Sequence, residues 1–104
     1  MIVRMWSGTA RPEHADAYVA HLREKTLPAL AGIPGYYGAN VLRKPAGDTV
    51  IFMVLTLWQS LDAIRAFAGA EDPEVAVVPP EAQALLLSWD ARAVHWPVAY
   101  TTFD

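Results

Sequence analysis

TVIFMVLTLWQSLDAIRAF, residues Thr49 to Phe67, is the most strongly patterned stretch of this chain. Thr49 to Trp58 reads as a long strand with β-branched and aromatic residues at both parities, so both of its faces are suited to burial. Ser60 is a natural N-cap, and Leu61, Ile64 and Phe67 fall on the buried side of a short helix behind it. In a chain of 104 residues one layer of helices covers one face of a sheet. The other face calls for a second copy of the chain.

Working outward, Ile2 to Thr9 reads as a first strand, apolar apart from Arg4 and Ser7. Pro12 and Glu13 open a helix that runs to about Leu27, with Ala15, Tyr18, Val19, Leu22 and Thr26 on one stripe. Pro28 is a weak point, and the segment closes at Gly32-Ile33-Pro34-Gly35. Tyr36 to Arg43 reads as a second strand, with turn chemistry at Lys44-Pro45-Ala46-Gly47-Asp48, and Thr49 to Trp58 returns antiparallel to it. Ala70 to Val78 reads as a loop, Pro79-Pro80-Glu81 starts a helix to about Leu86, and Trp89 to Tyr100 is the last strand. The order β-α-β-β-α-β predicts a single α+β domain over 1–104, ferredoxin-like, with one antiparallel sheet and helices on one side. Its open sheet face is expected to pair with a second copy about a two-fold axis, giving a homodimeric α/β barrel. On that reading Phe52→Asp dissociates the dimer or unfolds the chain.

The composition narrows the function classes. The chain is 54% hydrophobic and 18% charged, which suits a compact fold and not a disordered one. A formal charge of −3 with scattered basic residues argues against nucleic acid. There is no cysteine, hence no disulfide or thiolate metal site. No segment reads as a membrane span or a secretory leader, so the expectation is a soluble cytoplasmic protein. Phosphate loops, G-x-G-x-x-G, G-x-S-x-G and H-E-x-x-H are all missing, leaving nucleotide cofactors, serine hydrolysis and zinc proteolysis without local support.

The line Trp58, Ser60, Ala63, Ile64, Phe67, Ala68, Gly69 is followed by Ala76-Val77-Val78-Pro79-Pro80-Glu81, Trp89-Asp90 and Val94-His95-Trp96-Pro97-Val98. With Leu27-Pro28 and Ile33-Pro34-Gly35-Tyr36, these resemble the antibiotic biosynthesis monooxygenase family over nearly the whole chain. The resemblance implies a dimeric α/β barrel with a ligand pocket between sheet and helices in each subunit. It also implies one of several activities: oxidation of aromatic polyketides by O₂ without metal or flavin, haem degradation, or the cyclase, isomerase and decarboxylase chemistry of related barrels. The haem-degrading branch resembles a pattern of an Asn on the first strand, a Trp in the helix after the third, and an axial His just beyond. Here the first Asn is Asn40, Phe67 stands at the helical Trp position, and no His lies between Phe67 and Asp90. The resemblance therefore favours a cofactor-independent oxygenase of a small aromatic or quinol-like substrate, with no cofactor and no metal. An oxygen-independent cyclase, isomerase or dehydratase, or a non-catalytic binder of a small apolar ligand, remains as the alternative.

Six residues are candidates for that site. His95, on an apolar strand, can take a proton from a phenolic substrate, or simply hydrogen-bond a neighbour as a structural histidine. His21 shares a helix side with His14 and can reach a pocket rim as a second base. Trp58 and Phe67 are candidate walls for a planar ligand, though Trp58 suits the core equally. Tyr37 can donate to a ligand carbonyl. Arg4, a charge inside an apolar strand, needs a partner such as Asp90 or an anionic group on a substrate.

Overall fold

The structure is a computed structural model that describes residues 1–103. β1 (Ile2–Ala10) leads into α1 (Pro12–His21), which passes through a π-helical turn at Leu22–Thr26 into α2 (Leu27–Ala31). β2 (Tyr36–Ala46) and β3 (Thr49–Trp58) form a hairpin, followed by α3 (Leu61–Ala68), α4 (Pro80–Gln83), β4 (Ser88–Trp89) and β5 (Val94–Pro97). The sheet order is β2-β3-β1-β4, with β5 also pairing β1, and the β1–β3, β2–β3, β1–β4 and β1–β5 pairs are all antiparallel. This is the ferredoxin-like α+β arrangement that the order of elements predicted.

Local chemistry explains the boundaries. Gly47, at φ 60°, supplies the left-handed residue of the tight turn between Ala46 and Thr49. That turn is shorter than expected, and β2 extends through Pro45. Pro45 is tolerated because β2 is an edge strand and one of its sides has no ladder to complete. The Ser60 hydroxyl accepts from the Ala63 amide at 3.2 Å and caps α3.

The π turn follows from Pro28. Proline has no amide hydrogen and crowds the carbonyl four residues earlier, so the ladder is re-closed by the Leu27 amide donating to the Leu22 carbonyl. The expected last strand, Trp89 to Tyr100, is shorter and broken. Between β4 and β5 the chain turns aside to bridge the loop after α3, with the Ala76 amide donating to the Ala91 carbonyl and the Ala93 amide to the Glu74 carbonyl. The helix expected to reach Leu86 stops at Gln83.

The registers divide the sheet into two faces. Arg4, Trp6, Gly8 and Ala10 pair with Thr56, Val54, Phe52 and Val50, and this side carries the helices. Beneath the helices are two clusters, one around Tyr18, Leu22, Phe52 and Leu86, the other around Leu30, Trp58 and Ile64. Leu27 packs against both. Phe52 is fully buried in the first cluster, edge-on to Tyr18 at 4.9 Å. Phe52→Asp therefore reports on the subunit's own core and not on the open face. The opposite parity, with Val3, Met5, Ile51, Met53, Leu55 and Leu57, faces away from the helices, and Trp96 and Val94 join it from β5. No described helix is long and apolar enough to cross a membrane.

Candidate active site

A cavity lies in the seam between the two core clusters. Tyr18 and Leu22 come from one cluster, Leu30 from the other, and Leu27 is shared. The inner chamber is about 60 Å³, with Trp6, Val54 and Thr56 of the sheet as floor and Val77, Val78 and Pro79 of the α3–α4 loop as one side. A wider mouth of about 330 Å³ shares His21, Thr26, Phe67, Val77 and Pro79 with it and adds Lys25, Ala29 and Glu81. The lining is mostly apolar, with a few polar groups set into it, as small-molecule sites generally are.

The π turn shapes this wall. His21 and Thr26 are five residues apart, and at roughly 100° per residue an α-helix would separate them by about 140°. A turn closed from residue 22 to residue 27 carries one extra residue, so both side chains come round to the cavity. The His21 ring stacks on Tyr18 with centroids 6.4 Å apart, and its Nε2 is buried without a hydrogen-bond partner. A buried nitrogen left unpaired is costly. A ligand in the cavity would satisfy it. Tyr18 cannot share the proton work: burial pushes its hydroxyl well above the ordinary tyrosine range.

Arg4 is 5% exposed and lines the inner chamber. It does not pair with Asp90, whose carbonyl instead accepts from the Trp6 indole at 2.8 Å. Its guanidinium donates to the Pro73 and Val75 carbonyls and to His95 Nε2, the last at 2.8 Å. It also lies over the Phe67 ring, 5.6 Å from the centroid. Burial lowers its affinity for its proton, with the Glu74 charge opposing. Arg4 thus ties the α3–α4 loop to the sheet from inside, while Arg92 grips Asp72 (2.9 and 3.1 Å) and Glu74 (3.2 Å) from outside.

The six candidates separate accordingly. His21, Phe67 and Arg4 meet in the cavity. His95 stands behind Arg4. Its Nε2 takes the guanidinium hydrogen, which requires the neutral ring with its proton on Nδ1, and burial followed by the Arg4 charge holds its pKa below the ordinary imidazole value. Trp58 is fully buried behind Phe67, the two rings stacked at 6.1 Å. It backs the wall without lining the chamber. Tyr37, 56% exposed, sits at the β-bulge that opens β2 and faces away. Thr56, Tyr18, Thr26 and Trp6 are lining residues that the sequence did not single out as such. Among the described residues, no three histidines or carboxylates are placed to hold a metal ion.

Comparison with known proteins bears on this arrangement. Residues 1–78 match the profile of the antibiotic biosynthesis monooxygenase family. Two uncharacterized proteins from Mycobacterium tuberculosis strains are 31% identical over 90 residues, 86% of this chain. The chain spans about a third (35%) of the length of these curated relatives. Among solved structures, a Bacillus cereus protein assigned to antibiotic biosynthesis monooxygenases superimposes with a TM-score of 0.67 at 15% identity, covering 99% of this chain and 97% of its own. SnoaB, a cofactor-independent oxygenase of Streptomyces nogalater, gives 0.65 at 17% with the same coverages, 99% and 97%. The haem degrader MhuD of M. tuberculosis gives 0.61 at 19%, covering 99% of this chain and 100% of its own. At such identities the likeness is one of fold.

Proposed function

The chain belongs to the antibiotic biosynthesis monooxygenase family, and from that premise we propose that it is a cofactor-independent monooxygenase of a small aromatic or quinol-like substrate. The observation that carries the proposal is the unpartnered Nε2 of His21, buried in an apolar chamber beside the Arg4 charge. In this scheme His21 removes a proton from the substrate and the electron pair stays in the aromatic system. The resulting anion passes one electron to O₂, and the radical pair combines to a peroxide. Loss of water leaves a carbonyl, so a CH₂ group becomes C=O and the second oxygen atom leaves as water. Phe67 and Trp6 wall the ring, and Trp58 holds Phe67 in place. His95 serves as the partner that positions Arg4, which makes it second to His21 as a base because its Nε2 is already engaged.

The proposal includes a dimer. The face opposite the helices carries a groove of about 510 Å³ lined in part by Val3, Leu55, Leu57, Val98, Tyr100 and Phe103, which suits a second copy better than water. Haem is a poor fit, because no His follows Phe67 before His95 and that residue is bound to Arg4.

The test is oxygen uptake by metal-stripped protein against anthrones, quinols and catechols, with His21→Ala and His95→Ala alongside. His21→Ala is expected to lower turnover by about 10²- to 10⁴-fold, the usual contribution of a general base. Loss in His95→Ala with full activity in His21→Ala would return the base role to His95. No uptake in air, with product formed equally without oxygen, would show cyclase or isomerase chemistry instead.

A further inference from the structure

The floor of the chamber holds a second buried group with a bond still to make. Thr56 is 6% exposed, and its hydroxyl oxygen accepts the Trp58 indole hydrogen at 2.7 Å. An indole N–H can only donate, so Thr56 is the acceptor in that contact and keeps its own hydrogen to give. Among the described residues no side chain or carbonyl accepts it. Trp58 is fully buried and stacked against Phe67, so the direction of this bond is held by the core. The Thr56 hydroxyl therefore keeps a hydrogen to donate, and Thr56 lines the same chamber as His21.

Arg4 already commits three of its five guanidinium hydrogens to Pro73, Val75 and His95, and its role here does not depend on the other two. What it supplies is charge. A buried positive group beside the chamber favours negative charge developing on a ligand oxygen, and the low dielectric strengthens the effect.

We propose that Thr56, aimed by Trp58 and aided by the Arg4 charge, hydrogen-bonds the oxygen of the substrate that becomes negative when His21 takes the proton. The site then selects a phenol or an enolisable aryl ketone over a plain aromatic hydrocarbon. This rests on the reading of His21 as base. An O–H or C–H bond breaks, its proton goes to His21 Nε2, and its electron pair is delocalised onto the oxygen facing Thr56. Thr56 donates a hydrogen bond throughout and does not change protonation state.

The experiment uses 4-nitrophenol, a one-ring phenol whose neutral and ionised forms absorb differently, titrated with pH when bound to the intact protein. Bound to the wild type it should ionise at lower pH than in free solution. Thr56→Val should raise that midpoint by about one pH unit, the effect of losing a hydrogen bond to a charged oxygen, and Thr56→Ser should not. Thr56→Val also strands the Trp58 indole, so the double variant Thr56→Val with Trp58→Phe, which removes both partners, serves if the single one does not fold. A folded Thr56→Val or double variant that ionises the probe as the wild type does would overturn the proposal, as would failure of the wild type to bind it. The readout needs no oxygen. A protein that shifts the probe through Thr56 yet takes up no O₂ keeps this inference and refutes the oxygenase.

Discussion

Arg4 joins three parts of the molecule, and its contact with His95 makes stability depend on pH. The contact needs Nε2 of His95 without a proton, and both burial and the Arg4 charge hold the folded-state pKa below the ordinary value, with Glu74 opposing. As pH falls, the unfolded chain protonates His95 first, so stability is full above an unfolded pKa of about 6.5 and is lost as pH drops through the folded value. Urea unfolding at pH 8 and pH 5 should show a larger loss for the wild type than for His95→Gln, which keeps an acceptor but cannot titrate. Equal losses would mean that the contact does not govern the acid limb. At this scale the sequence marked Arg4 as a charge needing a partner and His21 as a group near a pocket. It did not mark Thr56, since threonine is an ordinary strand residue. The available signal was its parity: a hydroxyl placed with Phe52, Val54 and Trp58 on the inward side of the strand.

The elements show how local chemistry builds the cavity. Pro28 was legible as a weak point, but a break, a kink and a π turn all answer a missing amide. Packing of Leu27 and Leu30 onto the two clusters selected the turn that keeps the helix running. The α3–α4 loop was legible as a loop, yet not as a wall of the site, because Val77, Val78 and Pro79 acquire that role only when Arg4 and Arg92 hold the loop over the sheet. The outer clamp is open to solvent, so Arg92→Ala should leave global stability almost unchanged. Amide exchange at Ala76, which bonds the Ala91 carbonyl, should nevertheless quicken markedly. Unchanged protection there would show that Arg4 alone suffices to seat the loop.

Across the whole molecule, one β3 strand serves two purposes, and neighbouring residues report on each. Phe52 belongs to the subunit's own core, where truncation to Ala would cost about 3–5 kcal/mol, so Phe52→Asp should abolish folding. Met53, one residue on, faces the open side. Met53→Asp should leave the circular dichroism spectrum native while light scattering reports a monomer in place of the proposed dimer; a folded Met53→Asp dimer would place the interface elsewhere. The sequence by itself determined the order of elements, the antiparallel hairpin, the Ser60 cap and the two-sided character of β3. These depend on periodicity, turn residues and caps acting within a few positions of one another. Only the tertiary structure decided that Arg4 meets His95 and not Asp90, that His21 reaches the cavity with a nitrogen unpaired, and that Thr56 lies on its floor. Those contacts join residues far apart in the chain, and the break between β4 and β5, the π turn and the packing of two core clusters together set which of them form.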